Sequence, residues 1–138
     1  MVVLDTDVIV AAIRSRTGAS AALILAVLRG ECTVGLSVGM ALEYEAVAMR
    51  PEHLAAGGMT GRDAMMVIDA IIACAVPILP HFRWRPQLRD ANDEMILEAA
   101  ANAGASAIVT FNRRDFTPAA RMFGIDLLLP REYLETIR

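Results

Sequence analysis

The chain opens on a short apolar run, Val2-Val3-Leu4, that stops at Asp5-Thr6-Asp7. A β-branched run ending in polar residues reads as a buried strand. Val8 to Ile13 runs apolar again and gives way to a loop over residues 14–18. Ser20 is placed to cap a helix through Arg29, with Gly30 as its stop. A second strand is predicted over 32–36, then a helix from about Val38 to Met49, ended by Arg50-Pro51. Gly57-Gly58 marks a turn. Thr60, with Asp63 three residues on, predicts a capping box and a helix to about Ala73. A third strand follows over 76–79, and the arginine-containing stretch 81–89 with Pro86 reads as a loop. Asn92 is placed to cap a helix to Ala103, and Gly104 suits its left-handed end. The remaining elements are a strand over 106–110, a short helix over 118–123, a strand over 125–128 and a last helix opened by Pro130.

Strands alternating with helices predict an α/β fold: a central, mostly parallel sheet of about five strands with helices on both faces. With no repeat, low-complexity tract or linker in the 138 residues, one domain over 1–138 is expected.

Composition narrows the function classes. Hydrophobic residues make up 56% and charged residues 21%, which excludes a disordered chain. The mean hydropathy is +0.46, yet the longest apolar run, Ala70 to Leu79, is interrupted by Pro77 and is about half a bilayer span. Asp5 precedes any basic residue, so no signal peptide is expected, and the reading is a cytoplasmic protein. Cys32 and Cys74 lie among apolar neighbours and are expected to be buried thiols. His53 and His81 form no ligand pattern, and the methionines, Met65 and Met66 among them, are expected to fill core and interface. The net charge is −3 and all thirteen basic residues are arginine, so nothing in the overall balance points to nucleic acid.

The candidate chemistry lies where the predicted strands end, since an open α/β sheet binds ligands outside its carboxyl edge. Asp5 follows the first strand. Glu43 and Glu45 lie in the helix after the second. Asp90 and Asp93 precede the fourth strand, and Asn112 and Asp115 follow it. Each acid taken singly is explained as a helix cap or a solvated helix face. Taken together they repel one another, and the usual reason for gathering them is a hard cation. An all-oxygen set without cysteine or histidine favours Mg²⁺ or Mn²⁺, one ion or two. Such ions are the equipment of phosphodiester hydrolysis.

Three stretches resemble the PIN-domain family: VVLDTDVIVAAI (2–13), LEYEAVAMRP (42–51) and DEMILEAAANAGASAIVTFNRRDF (93–116), with PREYL (130–134) similar to its C-terminal tail. The resemblance implies a small Rossmann-like nuclease fold holding Mg²⁺ or Mn²⁺. It further implies a toxin-like ribonuclease of a type II toxin–antitoxin pair, acting on RNA, usually dimeric and inhibited by a cognate antitoxin. Carried over by motif, Asp5, Glu43, Asp93 and Asp115 are the catalytic and metal-binding acids; Asp93 lies eleven residues before Gly104 as the motif requires. Asp7 stands where the family usually has Asn, and Asn112 where many relatives have Asp. Asp90 is a candidate supporting acid. Glu45 is the rival of Glu43, and two residues apart on a helix they face different ways. The Thr110 hydroxyl is a candidate to orient a carboxylate. Arg113, Arg114 and the loop residues Arg83, Trp84 and Arg85 are candidates for RNA contact, with Trp84 stacking on a base.

Two rivals stand beside this. A strand followed by Asp-x-Asp is similar to haloacid-dehalogenase-type phosphatases, which expect a downstream lysine that this chain does not have. A catalytically degenerate PIN-like binding module would have lost the metal site, with Asn112 as its first sign.

Overall fold

A computed structural model of the chain describes residues 1–79, 88 and 90–138. Five short strands alternate with eight helices in these residues. The strands are β1 (Val2–Leu4), β2 (Gly35–Leu36), β3 (Val76–Pro77), β4 (Ala107–Val109) and β5 (Asp126–Leu128). The helices are α1 (Thr6–Arg14), α2 (Ala19–Leu28), α3 (Val38–Ala48), α4 (Pro51–Gly57), α5 (Gly61–Cys74), α6 (Ala91–Ala103), α7 (Arg113–Met122) and α8 (Pro130–Ile137).

All pairings are parallel, as the βα alternation predicts. β1, β4 and β5 form one ladder in that order, with Val3 opposite Ile108 and Ile108 opposite Leu127. β2 and β3 form a second. A single bridge, Val2 to Val34, joins the two, giving the spatial order β3-β2-β1-β4-β5. The sheet is therefore Rossmann-like, with its direction of progression reversing between β1 and β4. β1 and β4 are buried along their whole length, as continuous apolar strands in a doubly covered sheet must be. Right-handed crossovers put α1 to α5 on one face and α6 and α7 on the other; α8 returns to pack on α2.

Several helix boundaries differ from the sequence reading. Helix α2 is entered from Gly18 without a side-chain cap, and Ser20 lies buried in its first turn. Pro51 does not only stop α3; it opens α4, because a fixed φ and a missing N–H suit a first helical position as well as a stop. The cap of α6 is Asp90, whose carboxylate accepts from the amides of Asn92 and Asp93, so the helix starts ahead of Asn92. Helix α7 begins at Arg113 and carries Pro118 inside it rather than starting there. Cys74 is exposed and Cys32 half-buried, at the end of α5 and before β2. The Thr60–Asp63 capping box, the left-handed Gly104 and Pro130 at the start of α8 match the sequence reading. The predicted loop 81–89, with Arg83, Trp84 and Arg85, lies outside the described residues except Leu88. No single helix among the described residues is long and apolar enough to cross a membrane; α1 and α2 together are, but they meet at 105°.

Helix α1 starts at the sheet's carboxyl edge and ends against α4. A Cβ on Gly57 would lie 1.9 Å from the Ile13 carbonyl oxygen and 2.9 Å from its carbon. Neither atom can swing aside, because both are backbone. Gly57→Ala is therefore expected to destabilise the chain by about 1–3 kcal/mol, read as a lowered urea midpoint. An unchanged midpoint would mean that α4 does not press on α1.

Candidate active site

The crevice lies where β1 and β4 end side by side. Asp5 leaves β1 and caps α1. It is 5% exposed. Its Oδ1 accepts from the Thr6 amide at 2.7 Å and its Oδ2 from the Thr110 hydroxyl at 2.7 Å. Thr110 follows β4, is fully buried, and accepts in turn from the Asn112 amide at 2.9 Å. Asp7, in the first turn of α1, accepts from the Phe111 amide at 3.1 Å through Oδ2. Its Oδ1 is buried with no partner among the described residues; the neighbouring Val8 amide is already donated to the Asp5 carbonyl.

Asp93 enters from the other face. Helix α6 runs antiparallel to the strands, so its first turn sits at the same edge. Asp93 is half-buried there and Asp115, in the first turn of α7, is exposed beside it. These carboxylates act on one another. Burial, then the Asp7 charge, pushes the Asp5 carboxyl from its ordinary 3.8 up to about 7, against the pull of Thr110 and Thr6. Burial raises Asp7 to about 6, with the Asp93 charge adding and the Phe111 amide opposing. Burial, then Asp5, Asp90 and Asp115, raises Asp93 to about 6. Asp5, Asp7, Asp90, Asp93 and Asp115 thus share one field.

Glu43 is placed by its helix. Gly39 faces the Met95 side chain of α6 so closely that a Cβ would lie 2.7 Å from its sulfur. Glu43 is one turn on from Gly39 and shares that face, toward the helix of Asp93. Glu45 shares instead the face of Ala41, which looks toward Ile72 on α5 and Ala75 just after it. None of the three raised carboxyls owes its rise to Glu43. Arg113 is held by Glu132 of α8 at 3.0 Å, while Arg114 is exposed.

The sequence reading missed Tyr44. It is fully buried on α3, and its hydroxyl donates to the Leu4 carbonyl. That carbonyl faces β2, where β1 and β2 have separated beyond their single bridge, so the phenol replaces a lost ladder bond. Burial, with the Asp5 and Asp7 charges, pushes the phenol well above its usual range. A Tyr at a helical core spacing carried no sign of this in the sequence.

Among the described residues no three histidine, cysteine, aspartate or glutamate side chains are arranged to hold a metal ion as they stand. The donor chemistry nevertheless fits a hard cation bound partly through water, which commonly uses only one or two carboxylates directly. The donors are all oxygen, they repel one another, and Asp7 Oδ1 is unsatisfied.

The family model for the PIN domain matches residues 1–114. No curated protein matches the chain, and no solved structure does.

The raised carboxyls set a pH dependence. Folded, these groups keep protons that the unfolded chain releases near pH 3.8, so their contribution to stability is full below about pH 4 and is lost as pH rises through 6 to 7. The metal-free protein should melt at a lower temperature at pH 8 than at pH 5. Asp5→Asn, which keeps an acceptor for Thr6 but removes the charge, should flatten that difference. A melting temperature that climbs from pH 5 to 8 equally in both proteins contradicts the assignment.

Proposed function

The chain belongs to the PIN-domain family, whose members are generally nucleases, and from this premise we propose that it is a metal-dependent endoribonuclease, the toxin of a type II toxin–antitoxin pair. The observation that carries the reading is the shared field of Asp5, Asp7, Asp93 and Asp115 at the reversal point of the sheet. A fold that buries mutually repelling carboxylates at its ligand-binding edge is built for something positive there.

Asp5, Asp93 and Asp115 would hold one or two Mg²⁺ or Mn²⁺ ions, with Asp7 beside them. Glu43 is preferred over Glu45 because it shares the α6-facing side of α3 with Gly39. When bound, such an ion neutralises phosphate charge and makes a coordinated water more acidic. Thr110 fixes the Asp5 carboxylate through its hydroxyl. Asp90 acts as the α6 cap, setting the first turn that carries Asp93. Asn112 supports the site through its backbone amide on the Thr110 hydroxyl, Arg114, exposed at the rim, is assigned to the RNA backbone, and Arg83, Trp84 and Arg85 keep that role on sequence grounds alone. Arg113 is assigned first to Glu132. A phosphatase using Asp5 as nucleophile is disfavoured, because that chemistry expects a downstream lysine and the chain has none.

A homodimer is the second part of the proposal. Val38, Ala41, Ile72, Ala75 and Pro77 line an open apolar hollow of about 160 Å³ between α3 and α5, and Leu42, one turn from Val38, is exposed. An apolar surface of this kind favours a protein partner.

The wild type with Mn²⁺ should cut RNA to leave 5′-phosphate and 3′-hydroxyl ends. Asp5→Asn or Asp93→Asn should lower cleavage at least a hundredfold while the far-ultraviolet spectrum is kept, and should abolish the rise in melting temperature on adding Mn²⁺. Wild-type cleavage by either variant, or 2′,3′-cyclic phosphate products, would sink the mechanism. Unchanged melting of the wild type across a Mn²⁺ titration would favour the degenerate binding module. Induced expression should arrest growth, and Asp5→Asn should relieve the arrest. Leu42→Glu should convert a dimer to a monomer in sedimentation; a wild type already monomeric at high concentration refutes that part.

A further inference from the structure

Phe111 is the one exposed large aromatic among the described residues, at 49% exposure. It stands at the rim of the acid cluster, between Thr110, which holds Asp5, and exposed Asn112. Its amide donates to Asp7, so its backbone is fixed directly beside the carboxylates. Thr110 before it and Phe116 after it are both fully buried, whereas the Phe111 side chain is left half in solvent.

The fold asks only for the amide of residue 111. Any non-proline residue would supply it, and a polar one would avoid leaving apolar surface in water. An aromatic ring held open beside carboxylates suits a ligand that the carboxylates would otherwise repel. Stacking on a π-face is the attraction that a nucleotide can make there without help from charge. Arg114, three residues on and exposed, could supply a phosphate contact to the same strand.

We infer that Phe111 is the platform on which the nucleobase next to the cleaved phosphodiester stacks, an assignment that rests on the nuclease reading above. A base inside an A-form helix is stacked on its neighbours and cannot take that place, so the platform selects an unpaired nucleotide. Residue 111 therefore contributes to choosing where a strand is cut.

The test replaces, one nucleotide at a time, the residues around the cleavage position of a single-stranded RNA with abasic ones. With wild type and Mn²⁺, one position flanking the cut should lower kcat/KM by about ten- to a hundredfold, the worth of one stacked base. Phe111→Ala should cut the unmodified RNA at that lowered level and be indifferent to the same abasic position, and Phe111→Tyr should restore both. A Phe111→Ala variant that keeps the wild-type rate, or responds to the abasic position as the wild type does, overturns the inference and leaves the nuclease reading standing. If the wild type cuts no RNA, the nuclease reading falls, and stacking is read from 2-aminopurine in the same strand. Quenching by wild type that is lost in Phe111→Ala upholds the platform; no quenching by wild type overturns it.

Discussion

The hydroxyl of Thr110 reaches Asp5 across the ends of two strands whose residues stand 105 apart in the chain. Everything at the crevice depends on that bond and on the repulsion it helps contain. Asp5 is buried, Asp7 lies beside it, and Asp93 arrives from the opposite face of the sheet with its own charge. Left to themselves, such groups would take up protons or push the strand ends apart. The Thr110 proton and the amides of Thr6 and Phe111 set a few fixed dipoles against this. They lower the cost without cancelling it, which is why the three carboxyls remain raised.

The architecture supplies the rest. The helix starts of α1, α6 and α7 all lie at this edge, so their partial positive ends face the acids and favour their charged forms. Behind them β1 and β2 part after the Val2–Val34 bridge, the one bridge between these two strands among the described residues. Tyr44 closes that gap through the Leu4 carbonyl. One side chain thereby ties the helix that carries Glu43 to the residue before Asp5.

What was legible in the sequence was what local chemistry decides. The apolar runs gave all five strands, and Thr60 with Asp63, Gly104 and Pro130 marked their helix ends through neighbours a few residues away. Errors arose where one residue type serves two purposes. Asp90 and Asn92 are both good caps, and only side-chain reach picks Asp90. Pro51 can stop a helix or start one, and here it does both. Ser20 reads as a cap until the core is seen to claim it. The meeting of Asp5, Asp93 and Asp115 was readable from where the strands end, Asp7 stood out only as a departure from the family's usual Asn, and the orientation of Glu43 and Glu45 needed the close approach of Gly39 to Met95. Tyr44 and the Arg113–Glu132 pair were out of reach, since each depends on an element distant in sequence.

The register of β1 against β4 has a consequence for synthesis. Val2 pairs with Ala107 and Leu4 with Val109, so β1 has no neighbour on that side until the chain has been made some hundred residues further, through β4. The central acids cannot be drawn together while the ribosome is still adding residues before β4, and contacts this distant in sequence form late. Until β4 has been made, Asp5 and Asp7 stay solvated carboxylates without their partners across the sheet. The crevice comes into being only with β4, which separates the making of β1 from the onset of whatever its acids do.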